Sequence, residues 1–261
     1  MKRKVLIYSA SALAIVILAA TIHLTALFHP SGDVGDSVEP FLTTNWRQSG
    51  GYNKFTPGQN HIGCWGTAFA QIMFHYGIKP SGQVAYETST GYVVEEDLDA
   101  YNFDFSKFTS EINELSDEDT IDQMAMYNYF TAAVVQKDFG TGNGSILHKT
   151  EVGAYLKKHF GVDANWYVAY DGLYPYTAGK LEWLVERELS AKRPVYFYFT
   201  NQRDMGHAVV IDGYRRTEDA FMVHMVQGQG GPDNGWYDFH GPILDPDDGR
   251  LRIVYTVHTN T

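Results

Sequence analysis

The sequence predicts an α+β fold in one large domain, with helices concentrated in its first part and an antiparallel sheet in its second. Apolar residues recur at helical spacing up to about Asp163, and from about Trp166 onward short β-branched and aromatic runs alternate with turn residues. Composition is compatible with a packed globular chain: the 261 residues are 44% hydrophobic and 15% aromatic, which excludes a disordered or collagen-like protein. A chain of this length buries a substantial core without covalent staples.

The elements follow in chain order. Lys2, Arg3 and Lys4 precede an uncharged run from Val5 to Phe28. That run is longer than the apolar core of a signal peptide and matches the roughly 20 residues that span a bilayer. Residues 1–30 therefore read as an N-terminal membrane anchor or signal segment, with the basic tip in the cytoplasm and the rest of the chain outside the membrane, or secreted if the segment is cleaved. Residues 31–45, rich in Pro, Gly, Ser and Asp, read as a tether. Residues 46–261 read as the folded domain.

Within it, Trp65, Ala68, Phe69, Ile72, Met73 and Tyr76 define a helical stripe over Cys64 to Tyr76, stopped by Gly77 and Pro80. Further helices are expected over Asp119 to Val135 and Thr150 to Phe160, and another through Leu181, Leu184, Val185 and Leu189. Pro194 leads into Val195-Tyr196-Phe197-Tyr198-Phe199, a run of strong strand propensity, and further strands are expected over 208–211, 221–226, 236–239 and 251–257.

A single cysteine, Cys64, excludes an intramolecular disulfide and any multi-cysteine metal site. The net charge of −11 argues against a nucleic-acid partner, because such binding draws on clustered Lys and Arg. Removing the three basic residues of the N-terminal tip leaves 17 basic against 31 acidic side chains, or −14.

Cys64 follows Gly63 and opens a helix, so its sulfur sits where unpaired N–H groups and the helix dipole favour an anion. This position lowers a thiol pKa, although a small buried hydrophobe is the commoner fate of a free cysteine. A nucleophilic thiol needs a base. His207, framed by Gly206 and opening the run Ala208-Val209-Val210-Ile211, is one candidate; His224 in the next strand and His61, three residues before Cys64, are its rivals. Asp212 falls on the opposite strand face from His207 and is a poor third member.

Three segments carry a family resemblance. They are Gly63-Cys64-Trp65-Gly66-Thr67-Ala68-Phe69-Ala70-Gln71-Ile72-Met73; Gly206-His207-Ala208-Val209-Val210-Ile211-Asp212-Gly213-Tyr214; and His224-Met225-Val226-Gln227-Gly228-Gln229-Gly230-Gly231 running on to Asn234-Gly235-Trp236-Tyr237. Together with Gln48 upstream, they resemble the streptopain-type cysteine peptidases, which have a papain-like fold: a helical half and a sheet half with the active-site cleft between them. The resemblance covers roughly Trp46 to Phe239. It implies Cys64 as nucleophile, His207 as its ion-pair partner, Gln48 as the oxyanion-hole amide, a Gly-rich loop beside the cleft, a protein or peptide substrate, and no metal or organic cofactor.

Two departures from the family pattern stand out. Where members commonly carry Asn-Trp-Gly-Trp-Gly-Gly, this chain has Val226-Gln227-Gly228-Gln229-Gly230-Gly231. Val226 offers no side-chain hydrogen bond to an imidazole, so the amides of Gln227 and Gln229 become the candidates to orient His207 through Nδ1, or to line the cleft. Members also commonly begin with a long inhibitory pro-region, and only 45 residues precede Trp46. Narrow specificity, a separate inhibitor protein or reduced activity would each answer that.

The acidic runs Glu95-Glu96 with Asp97 and Asp99, and Asp117-Glu118-Asp119, read as solvated faces or helix N-terminal charges rather than paired catalytic acids. Asp245-Pro246-Asp247-Asp248-Gly249 reads as a turn, since it lacks calcium-loop spacing. Beside a peptidase, two other functions fit these residues: a different Cys–His acyl transferase or amidase, and a catalytically reduced protein that binds a peptide or cell-wall component.

Overall fold

The computed structural model describes residues 32–142, 144–170, 178–200, 205–243 and 251–259. The expected membrane segment over 5–28 and the expected turn at 245–249 lie outside them. Among the described residues, no helix is long and apolar enough to cross a membrane.

The strands are β1 (Ser37–Val38), β2 (Gln83–Glu87), β3 (Val93–Asp97), β4 (Asp163–Tyr170), β5 (Val195–Thr200), β6 (Gly206–Arg216), β7 (Phe221–Val226), β8 (Gly235–Asp238) and β9 (Leu251–His258). The α-helices are α1 (Cys64–His75), α2 (Glu118–Val134), α3 (Val152–Phe160) and α4 (Ala178–Ser190). A seven-stranded antiparallel sheet runs β4-β9-β5-β6-β7-β8, with β1 added to β6, and β2 and β3 form a separate hairpin. The fold is α+β, as the sequence predicts.

Strand alternation explains how the sheet is covered. In β5, Tyr196 and Tyr198 face α1, while Val195, Phe197 and Phe199 face Leu181, Leu184, Val185 and Leu189 of α4. Both faces are thus buried, which is why this strand reads as an unbroken apolar run. On the α1 face Phe69 stacks on Tyr196 with centroids 4.4 Å apart, and Trp65 lies 5.0 Å from Tyr196 and 5.3 Å from Tyr198. Pairs of this kind contribute about 1 kcal/mol each beyond their buried area.

Helix α1 is buried on every side from Cys64 to Met73 rather than along one stripe. It passes between the sheet and α2, and Gly66 permits the approach: a β-carbon there would lie 2.9 Å from the Ala132 side chain. The helix stops at Gly77 as expected, with Gly77 at φ 66° and Ile78 N–H donating to Met73 O at 3.0 Å. Asp117 caps α2, accepting from Thr120 N–H at 2.8 Å, so the acidic run there is a helix start.

The structure adds two elements that the sequence reading leaves undefined: the β2–β3 hairpin, which places Glu95 and Glu96 on a strand, and β4 at the sheet edge. It also corrects the tether. Residues from Gly35 onward dock on the domain: Gly35 N–H donates to Arg216 O, Phe41 and Leu42 N–H donate to Asp212 Oδ2 at 3.1 and 2.9 Å, and Thr44 is buried against Gln71. The buried Asp212 carboxylate supplies the acceptors that this polar, Gly- and Pro-rich stretch lacks within itself.

Candidate active site

The nucleophile position is built by two glycines. Gly63, at φ 83°, turns the chain into α1 in a conformation that L side chains rarely adopt, and leaves Cys64 as the first helical residue. Gly144 lies on the other side of the thiol, where a β-carbon would come within 2.9 Å of Sγ. The Cys64 side chain is therefore enclosed, and the residue is 5% exposed. Against the lowering expected at a helix N-terminus, burial outweighs the rest and leaves the thiol pKa above its ordinary value, although the N–H groups of Ala208, Trp65 and Cys64 itself and the charge of Lys137 pull it down.

His207 reaches the site from β6. Its backbone pairs with Phe199 of β5, and the backbone of the next residue, Ala208, is one of the groups that pull the Cys64 thiol pKa down. The Nε2 atom of the ring donates to the backbone carbonyl of Gln227 at 2.9 Å. In a neutral imidazole this leaves Nδ1 as the basic nitrogen. Gln227 is itself fixed: its N–H donates to Asn234 Oδ1 at 2.8 Å, and Asn234 Nδ2 donates to Asn45 Oδ1 at 2.9 Å.

This corrects the expectation for the two glutamines. The Gln227 main chain, not its side chain, meets the ring, at Nε2 rather than Nδ1, and among the described residues neither amide atom of the buried Gln227 side chain has a hydrogen-bond partner. Gln229 is exposed, and its backbone bridges to Arg47. Val226 is 3% exposed and packs in the core on the α1 side of the sheet. A carbonyl one residue farther along takes the part that an Asn side chain would have played.

Gln48 is brought to the same place. Its carbonyl accepts from Ile62 N–H at 2.9 Å, and Trp46 O accepts from Gly230 N–H at 3.3 Å, so the 46–48 segment lies between the approach to Cys64 and the Gly-rich loop. The Gln48 side chain is half-buried. The rivals of His207 lie elsewhere. His61 is exposed, and His224 Nδ1 meets Asp212 Oδ1 at 2.6 Å, with the imidazole edge-on to Trp236. Asp212 thus serves the docked N-terminal stretch and His224.

A cleft of about 350 Å³ opens on the sulfur, lined by Cys64, Trp65, Gly144, Ser145, Lys149, Tyr198, Met205 and Gly206. Among the described residues, no cluster of His, Cys, Asp or Glu is arranged to hold a metal ion. Two contributors escaped the sequence reading. Asn234 is visible there only as part of a motif, and Lys137 stands in a polar Gln-Lys-Asp run that gives no sign of burial.

The thiol thus stands at a helix N-terminus, and the main chain holds the imidazole at the start of β6. The chain belongs to the Peptidase C10 family, whose model matches residues 46–237. It is 29% identical over 239 residues to the thiol protease/hemagglutinin PrtT of Porphyromonas gingivalis, an alignment covering 83% of this chain and 26% of that protein. The chain thus spans about a quarter of the length of that relative. Among solved structures, it shares its fold with active wild-type interpain A cysteine protease of Prevotella intermedia, at a TM-score of 0.73 and 24% identity, covering 87% of this chain and 98% of that one. A prointerpain A fragment of the same organism matches at a TM-score of 0.69 and 22% identity, over 93% of this chain and 80% of the fragment.

Proposed function

We propose that this chain hydrolyses peptide bonds through a Cys64–His207 pair and an acyl-enzyme. The carrying observation is the fixed imidazole: Nε2 donates to Gln227 O, which makes Nδ1 the basic nitrogen of a residue whose neighbour, Ala208, acts through its backbone on the Cys64 thiol. His207 Nδ1 takes the thiol proton, and Sγ attacks the substrate carbonyl. The Gln48 amide and the Cys64 N–H then donate to the oxyanion, an interaction of about 3 kcal/mol per donor in comparable sites. The imidazolium returns its proton to the leaving amine as the C–N bond breaks, leaving a thioester. Water, deprotonated by the same nitrogen, attacks the thioester and regenerates the thiol.

A catalytically reduced binding protein is favoured by Val226 and Gln227 as substitutions of the family pattern, and the Gln227 carbonyl on His207 Nε2 weakens that ground. The uncharged 5–28 run behind a basic tip supports an exported domain tethered to the membrane, facing protein or peptide substrates.

A thiol-directed epoxide probe tests the site. The soluble part from Ser31 on is expected to be labelled at Cys64 near neutral pH, and an unlabelled Cys64 would contradict the proposal.

A further inference from the structure

We propose that the Lys137 side chain is a built-in counter-charge for the Cys64 thiolate, acting from beneath the residue that precedes the nucleophile. This rests on the reading of Cys64 as the nucleophile, and the experiment below separates the two.

Lys137 lies just past the end of α2 and is only 2% exposed, a rare fate for a lysine. Its backbone is held on three sides: its N–H donates to Ala132 O at 2.9 Å, its carbonyl accepts from Tyr86 OH at 2.9 Å, and it bridges to Ile146. The stem then runs under Gly63. A β-carbon on Gly63 would lie 2.9 Å from Lys137 Cε and 3.6 Å from Gly144 Cα, so the lysine stem, the turn into α1 and the glycine beside Sγ converge at one point. The ammonium donates to the backbone carbonyl of Asp138 at 2.8 Å.

The Asp138 carboxylate has its own donors, Ser89 N–H at 2.8 Å and Ser89 Oγ at 2.7 Å. The other titratable groups nearby are Tyr86 on the hairpin side, Tyr196 on the sheet side of the sulfur, Lys149 in the cleft lining, and His207, which follows the lining residue Gly206. Burial lowers the lysine pKa, while Asp138 and Cys64 draw it back up; the same charge pulls the thiol down. A cation buried in this way is costly unless it faces an anion. In an enclosed site its charge is screened little. It also remains when His207 is neutral, so the thiolate is stabilised by a charge that does not take part in proton transfer.

Because Cys64 is the sole cysteine, iodoacetamide alkylation followed by mass spectrometry reports one thiol. The rate is measured against pH for the full-length protein and for Lys137→Met and Lys137→Gln, each with and without His207→Ala, alongside melting temperatures. Met keeps the stem and removes charge and donor; Gln keeps a donor. Loss of the cation is expected to move the acid limb of the profile upward in both variants, and in the His207→Ala background too, lowering the rate on the acid side about tenfold. Unchanged limbs in both variants would overturn the proposal. So would a shift in Lys137→Met alone, which would make the ammonium a packing and hydrogen-bonding group. A wild-type thiol that resists alkylation in the folded protein at every pH would instead overturn the peptidase reading, and this inference with it.

Discussion

The imidazole Nε2 of His207 donates to the main-chain carbonyl of Gln227 at 2.9 Å, and the Gln227 side chain takes no part. A carbonyl can only accept, so it fixes the tautomer as well as the ring plane. A side-chain substitution at 227 leaves that contact in place. Gln227→Leu is expected to keep kcat/KM within about twofold with an unmoved pH profile. It should also raise the melting temperature, because an unbonded buried amide costs about 1–3 kcal/mol. Steady-state kinetics across pH with thermal melts check both.

Asn234 holds the peptide that holds the histidine. Asn234→Ala removes the acceptor for Gln227 N–H and the donor to Asn45, releasing the loop that aims the carbonyl. The expected result is a fall of about tenfold in kcat with KM little changed, since ring orientation matters most in the transition state. Asn234→Asp retains an acceptor for Gln227 N–H and should fall between the two. A loss seen only in melting temperature would reduce Asn234 to a loop anchor.

Gly144 borders the sulfur at a distance that leaves no room for a methyl group. Gly144→Ala is expected to slow iodoacetamide alkylation of Cys64 about tenfold while the fold persists, because the added carbon must displace Sγ or close its approach. Alkylation kinetics beside a thermal melt separate this from general destabilisation.

The buried Glu188 gives the molecule an acid limit. Burial alone would raise its pKa, but hydrogen bonds from Arg193, Arg187 and His258 outweigh it and hold the carboxyl below the usual value. A carboxylate depressed in the folded state contributes stability above its unfolded pKa and loses it as pH falls through the folded one. Stability should therefore drop below the normal glutamate range. Glu188→Gln should flatten that dependence and cost about 2 kcal/mol at neutral pH, less than a fully enclosed pair because Arg187 and Arg193 reach solvent. Denaturant unfolding at stepped pH measures it.

Cys64 and His207 were legible because each sits at an element boundary with glycine beside it, and boundary residues declare themselves locally. The Gln227 carbonyl was not, since every residue carries one and only the loop's path aims it. Lys137 was hidden for a related reason. Its run looks solvated, and burial arises from the passage of Gly63 over it, a contact between segments far apart in sequence. The docking of residues 35–45 was obscured by their polar composition, because the anchoring acceptor is the distant Asp212. The two-sided burial of β5 was legible in its unbroken apolar run, although the sequence alone did not say which helix covers which face.

The most direct test of the Cys64–His207 assignment is digestion of a peptide library with detection of new N-termini by mass spectrometry. Wild-type protein, Cys64→Ala, His207→Ala and Gln48→Ala are compared at equal folded concentration. New N-termini are expected with the wild type, none above background with Cys64→Ala or His207→Ala, and a loss of about a hundredfold with Gln48→Ala. Cleavage by Cys64→Ala at the wild-type rate, or no cleavage by a wild-type protein whose Cys64 is alkylated readily, would contradict that assignment.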